Sequence, residues 1–284
     1  MRRINIASKT KVIESSKQYK IVILGAGNVS FHVSRHLYLA GHQVSCVWSR
    51  SIENARQVAA ASGSVAVSNP EEVPNDADFY LMAVSDRAIA EVASRFSGRK
   101  GIWMHTAGAV SMDQLARDFE NFGVLYPLQT LSSERQLSLD DVPFLVEGSS
   151  SEVGAKIHKL ASSISERVLV MNSSDRLTMH LAAVFANNFS NHMVGIAEQL
   201  VEEKGGDISL LEPLIRETFL KIAESGPSSA QTGPAVRGDR ETMNKHLLLL
   251  KGHPEWEKMY TFVSRDIERS GKSTIDPKTG DDQL

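Results

Sequence analysis

The chain predicts an α/β protein in which a doubly wound parallel sheet is followed by an all-helical C-terminal domain. Three observations carry that expectation. An apolar run, Lys20 to Leu24, leads straight into glycines, the pattern of a strand buried on both faces. Strand-like and helix-like segments then alternate as far as Met171. Beyond Met171 the strand signals vanish and helical periodicity alone remains.

Taken in order, residues 1–19 read as a flexible leader, without the apolar stretch of roughly 7 to 15 residues that a signal peptide carries. The segment KIVILGAG from Lys20 is the first strand, and Val29 to Ala40 is a helix that Gly41 stops. HQVSCVWS then makes a second strand and completes a βαβ unit of about 30 residues. Further strands fit Asp78 to Val84, Gly101 to His105, Gly123 to Tyr126, Pro143 to Glu147 and Arg167 to Met171, so the sheet domain is placed at 20–172. From Ser174 to Lys204 a proline-free stretch suits one helix of about 45 Å, closed by Gly205 and Gly206. Ser209 with Glu212 forms a capping-box pattern before the next helix. Two more helices fit Asp239 to Leu250 and Pro254 to Ser270, ahead of a polar, frayed IDPKTGDDQL. The helical domain is therefore placed at 173–284.

Composition narrows the function. Across 284 residues, 42% are hydrophobic and 23% charged, which excludes wholesale disorder or a fibre. A net charge of -3 supplies no basic field to recruit nucleic acid or an anionic membrane, so a small-molecule partner is favoured. Cys46 is the single cysteine, which rules out an intrachain disulfide and fits a reducing cytoplasm. No run of roughly 18 apolar residues offers a membrane span. His32, His36, His158, His192, His246 and His253 lack a convincing spacing with acids, so no metal is expected.

The first chemical motif is Gly25-Ala26-Gly27-Asn28-Val29-Ser30, a G-x-G-x-x-G/A pattern with serine at the third small position. Gly25 permits the tight turn, Gly27 lets backbone approach a pyrophosphate, and Asn28 and Val29 open a helix whose free N–H groups suit an anion. Val84 and Ser85, at the end of the strand from Asp78, belong to the same expected cofactor site. A plain strand-to-helix turn, or a methyltransferase glycine loop, is the competing reading. Where an acid would select NAD by its ribose hydroxyl, the second strand ends in Ser49-Arg50-Ser51. A guanidinium fork with two hydroxyls suits a 2′-phosphate, so NADP is expected; the plain alternative is a solvated arginine.

With these residues in view the chain resembles the Rossmann-like proteins with a DUF2520 C-terminal domain, distant relatives of the β-hydroxyacid dehydrogenases, 6-phosphogluconate dehydrogenase and pyrroline-5-carboxylate reductase. The resemblance covers residues 20–270 and rests on five ordered blocks: GAGNVSFH, HTAGAV at His105 to Val110, YPLQT at Tyr126 to Thr130, HLAAVFANNFSNHM at His180 to Met193, and TGPAVRGD at Thr232 to Asp239. It implies an NADP-type oxidoreductase fold, a helical domain like that of 6-phosphogluconate dehydrogenase, and a homodimer. It also implies that His105, Thr106, Gln129 and Thr130 line the cleft. VFANN resembles the catalytic K-x-x-N-N segment of those enzymes: Asn187 and Asn188 match, but Val184 stands in the lysine's place.

His180 precedes Val184 by one helical turn, so its imidazole can serve the space the lysine would have used and donate a proton to a reducing carbonyl or imine. The competing reading is a histidine merely hydrogen-bonded at the domain interface. Asn188, on the same face, suits a substrate carboxylate or the nicotinamide. Arg237 reads either as a carboxylate clamp or as a partner of Asp239. The expected function is an NADP-dependent oxidoreductase acting on a small carbonyl, imine or hydroxy-acid substrate in the interdomain cleft. The alternative is a non-catalytic NADP-binding sensor or scaffold.

Overall fold

The computed structural model describes residues 17–273; the expected leader, up to residue 16, and the frayed end, from 274, lie outside the described residues. By its internal contacts the chain divides into two units, which meet between Asn188 and Phe189.

The first unit opens with β1 (Lys20–Leu24), α1 (Asn28–Leu39), β2 (Gln43–Trp48), α2 (Ile52–Ser62) and β3 (Val65–Val67). It continues with β4 (Phe79–Met82), α3 (Ile89–Arg95), β5 (Ile102–His105), β6 (Phe122–Pro127), β7 (Phe144–Gly148), α4 (Ser151–Ala161), β8 (Val168–Val170) and α5 (Ser173–Ala183). The eight strands form one sheet in the order β3-β2-β1-β4-β5-β6-β7-β8. Alternate residues of β4 show why the sheet needs cover on both sides: Phe79 and Leu81 join the core under α1, α2 and α4, while Tyr80 and Met82 join the core under α3. In the second core Tyr80, Trp103 and Phe119 stack at successive centroid distances of 4.1 Å. Tyr19, counted with the leader by sequence, is buried edge-on against Phe79. Cys46 is buried in β2, where loss of solvent, with the Glu72 charge adding to it, pushes its thiol up to about 11.

Two details depart from the sequence reading. The short edge strand β3 was not expected. The sheet is parallel except that β7 runs antiparallel to β6, with Tyr126 opposite Leu145. The segment between them, residues 128–143, contains no helix to carry a parallel crossover, so the chain returns beside its predecessor.

The expected single long helix is instead α5, a π-helical stretch over Val184–Phe189, and α6 (Ser190–Glu202). The expected domain boundary at 172/173 also differs from the division by contacts, because α5 is fastened to the sheet. Arg176 is fully buried and donates to Glu147 of β7, to the Val110 carbonyl at 2.6 Å and to Ser173 Oγ at 3.0 Å. Glu147 in turn accepts from the Ser173 hydroxyl at 2.7 Å.

The second unit comprises α6, α7 (Glu212–Ser225), α8 (Pro227–Ala230), α9 (Pro234–Arg237), α10 (Arg240–Leu249) and α11 (Pro254–Ser273). The expected Ser209–Glu212 capping box does not form: Asp207 caps a short 3₁₀ turn over Ile208–Leu210, and α7 starts at Glu212 with proline in its first turn. An apolar cavity of about 300 Å³ lies among Met193, Leu200, Leu250, Trp256 and Tyr260. Among the described residues no helix is long and apolar enough to cross a membrane.

Candidate functional site

The glycine turn sits where β1 hands over to α1. Gly25 has φ +109°, and a Cβ there would come within 2.3 Å of the Ala83 carbonyl oxygen, so both its backbone and its surroundings demand glycine. Gly27 is different. It caps α1 without a side-chain hydrogen bond, and a Cβ added to it would meet nothing within 4 Å. An uncapped helix start beneath open space is what a pyrophosphate requires, and these residues fit a dinucleotide. Ser30 fills the third small position, fully buried, with its hydroxyl directed at the Ala83 carbonyl.

A cleft of about 240 Å³ over this turn is lined by Gly25, Gly27, Ser49, Arg50, Val84 and Ser85, together with Asn54, Glu91 and Arg95. Three expected residues are placed otherwise. Ser51 is the N-cap of α2, accepting from the Asn54 N–H at 3.3 Å. Asn28 turns its side-chain oxygen to the Ser133 N–H at 3.1 Å, and Val29 packs against the core. The end of β2 carries no acid, yet α3 brings Glu91 into the cleft, ion-paired with Arg95 at 2.7 Å. The Arg95 hydrogen bond, more than the charges of Arg95 and Arg50, holds the Glu91 carboxyl below its ordinary range.

A second pocket, of about 530 Å³, is built by the end of β6, α5 and the π-helical stretch. It brings together Gln129, Thr130, His180, Asn187 and Asn188, with Val184 in its wall. His180 Nδ1 lies 3.0 Å from the Tyr126 hydroxyl, and the two rings meet edge to face. Tyr126, which sequence reasoning quoted only as part of a motif, lines the same pocket. Burial, then the Asp86 charge, raise its phenol above the ordinary range, with Arg176 opposing.

His105 and Thr106 do not line this pocket. Both are buried: His105 is 0% exposed at the end of β5, its Nδ1 accepting from the Ala107 N–H at 3.2 Å. Burial first, and the Arg176 charge second, push its imidazole down to about 4 against an opposing backbone hydrogen bond with Ser111, so the ring is neutral. Arg237 lies in α9 of the second unit, and Asp239 spends its carboxylate capping α10 through Thr242 instead of pairing with it.

Fold and turn together define a class, the oxidoreductases that bind a nicotinamide dinucleotide on a Rossmann-type sheet. Within that class, the chain belongs to the family that joins a domain of the type "NADP oxidoreductase coenzyme F420-dependent", matched over residues 20–103, to the domain of unknown function DUF2520, matched over residues 142–267. It is 35% identical to a protein of Bacteroides fragilis described as a putative NADP oxidoreductase, over 89% of this chain and 98% of that one, with a TM-score of 0.84. A Thermotoga maritima protein shares the fold at 21% identity and TM-score 0.70, over 90% of this chain and 100% of the other. So does the pyrroline-5-carboxylate reductase of Streptococcus pyogenes, at 14% identity and TM-score 0.60, over 91% and 100%. No curated protein matches the chain.

Proposed function

We propose that the protein is an NADP-dependent oxidoreductase acting on a small carbonyl, imine or hydroxy-acid substrate, and that it works as a homodimer in the cytoplasm. The observation that carries this reading is the first cleft, with an uncapped helix start at one end and two arginines, Arg50 and Arg95, at the other. The first-turn N–H groups of α1 suit the pyrophosphate, and the Arg50 fork suits a 2′-phosphate. Glu91 would repel that phosphate, but its pairing with Arg95 offsets its charge.

The nicotinamide, when bound, supplies or accepts a hydride. In the reducing direction the chain's own residues must deliver a proton to the oxygen or nitrogen that the hydride leaves electron-rich, and in the oxidising direction they must take that proton away. Val184 removes the amine that the related dehydrogenases use, and His180, one helical turn away in the second pocket, is the group able to take over that duty. Gln129, Thr130, Asn187 and Asn188 offer uncharged donors and acceptors that orient a substrate beside it. The apolar side chains exposed on α5, α7 and α11, among them Leu181, Leu214 and Phe262, support the dimer, and the single cysteine supports a reducing compartment.

Calorimetry tests the cofactor. Arg50→Ala should weaken NADP roughly ten-fold or more and leave NAD nearly unchanged, since one charge-assisted hydrogen bond contributes about 1.5 to 3 kcal/mol. Equal wild-type affinity for the two dinucleotides would end the NADP reading. A panel of 2-hydroxy acids, 3-hydroxy acids and cyclic imines with NADP(H), followed by absorbance, tests the reaction. Val184 favours the second reading, a non-catalytic NADP sensor, which tight NADP binding without turnover of any panel member would support.

A further inference from the structure

Three segments far apart in sequence converge on one hydrogen bond. Tyr126 comes from β6, His180 from α5, and Gly108 from the loop that follows β5. A Cβ on Gly108 would stand 2.6 Å from His180 Nδ1 and 2.9 Å from Tyr126 Cζ. Gly108 does not have the positive φ that would itself require glycine, so the space taken by the two rings is what excludes a side chain there. The pair is thus held against a wall of bare backbone.

We propose that Tyr126 is a positioning residue that fixes the tautomer of His180: its hydroxyl donates to Nδ1, so that the ring carries its proton on Nε2 and presents that N–H to the pocket. Two observations favour this direction of the bond. His180 Nδ1 stands 3.0 Å from the Tyr126 hydroxyl, so donating to it gives the phenol proton an acceptor within the protein. Its phenol, raised by burial and by Asp86, keeps that proton throughout the working range. Nδ1 is then spent, and Nε2 is the ring nitrogen left for a substrate.

The functional meaning rests on the reading of His180 as proton donor: as the Nε2 proton passes to the substrate, Nδ1 takes the Tyr126 hydroxyl proton, so the ring stays neutral and the phenolate is reprotonated from solvent. The tautomer itself can be read without turnover. Long-range ¹H–¹⁵N spectra of the full chain, with histidine ring nitrogens labelled, would identify His180 by the signals lost in His180→Gln. The wild type should show a single Nε2–H form, and Tyr126→Phe a mixture of tautomers. A wild-type Nδ1–H form, or an Nε2–H form unchanged in Tyr126→Phe, would overturn the proposal. NADP binding measured on the same samples keeps the two questions apart. Loss of binding would speak against the oxidoreductase reading and leave the tautomer result standing, whereas an unexpected tautomer with NADP bound would remove only the role of Tyr126.

Discussion

Gly25, Gly27 and Gly108 are bare for three different reasons, and substitution separates them. Gly25→Ala forces a side chain into a left-handed backbone and onto the Ala83 carbonyl, so thermal unfolding should show a loss of about 2 kcal/mol or more. Gly27→Ala meets open space, so the melting temperature should stay near wild type while NADP affinity falls. His180→Ala should lower kcat by about 10² to 10⁴ while NADP affinity is kept, the signature of lost proton transfer. His105 gives a pH test. Its imidazole is held down at about 4, below the roughly 6.5 of an unfolded chain, so the unfolded state binds more protons between those values. The corresponding stability is complete above about pH 6.5 and is lost as pH falls toward 4, by about 2 kcal/mol at pH 5. Denaturant unfolding at pH 7 and pH 5 should show that loss in the wild type and a smaller one in His105→Gln. The glycine turn was legible in the sequence because spacing alone encodes it. The burial of His105 and the partnership of Tyr126 were not, since each depends on segments that only the fold brings together.

At the scale of the element, the buried Arg176–Glu147 pair fastens the start of α5 to the end of β7 and to the Val110 carbonyl, and so sets where His180 arrives. Removing one partner leaves a buried charge uncompensated; Arg176→Ala should therefore cost about 3 to 5 kcal/mol, read from urea unfolding. Helical periodicity made α5 and α6 legible as helix. The π-helical stretch between them was invisible, because residues Val184–Phe189 are as compatible with α-helical bonding as with the wider i→i+5 pattern. That pattern turns the chain less per residue, so Asn187 and Asn188 reach the His180 pocket with a phase that plain 3.6-residue counting does not give.

Across the whole molecule, the alternation of strands and helices foretold the doubly wound sheet. The reversal of β7 escaped it because a loop without helical pattern between two strands leaves direction open. Many large apolar side chains remain exposed along α5 to α11: Leu181 is 54% exposed, Leu214 64% and Phe262 74%. Such a surface calls for a partner, and in the proposed dimer a second copy of the chain would supply it by two-fold symmetry. Light scattering should return about twice 31.2 kDa at micromolar concentration. A value near the single-chain mass across that range would refute the dimer.

The burial of Cys46 has a practical consequence. Its thiol is both shielded within β2 and too weakly acidic to form thiolate near neutral pH, so an aromatic disulfide reagent can react with it only while the sheet is locally open. Because no other cysteine competes, the release of coloured thiol from the native protein is a single-site clock for the breathing of β2, which ends at Trp48 two residues before Arg50. NADP bound at that strand end should slow the clock in proportion to its occupancy, and guanidinium-unfolded chain should react at once.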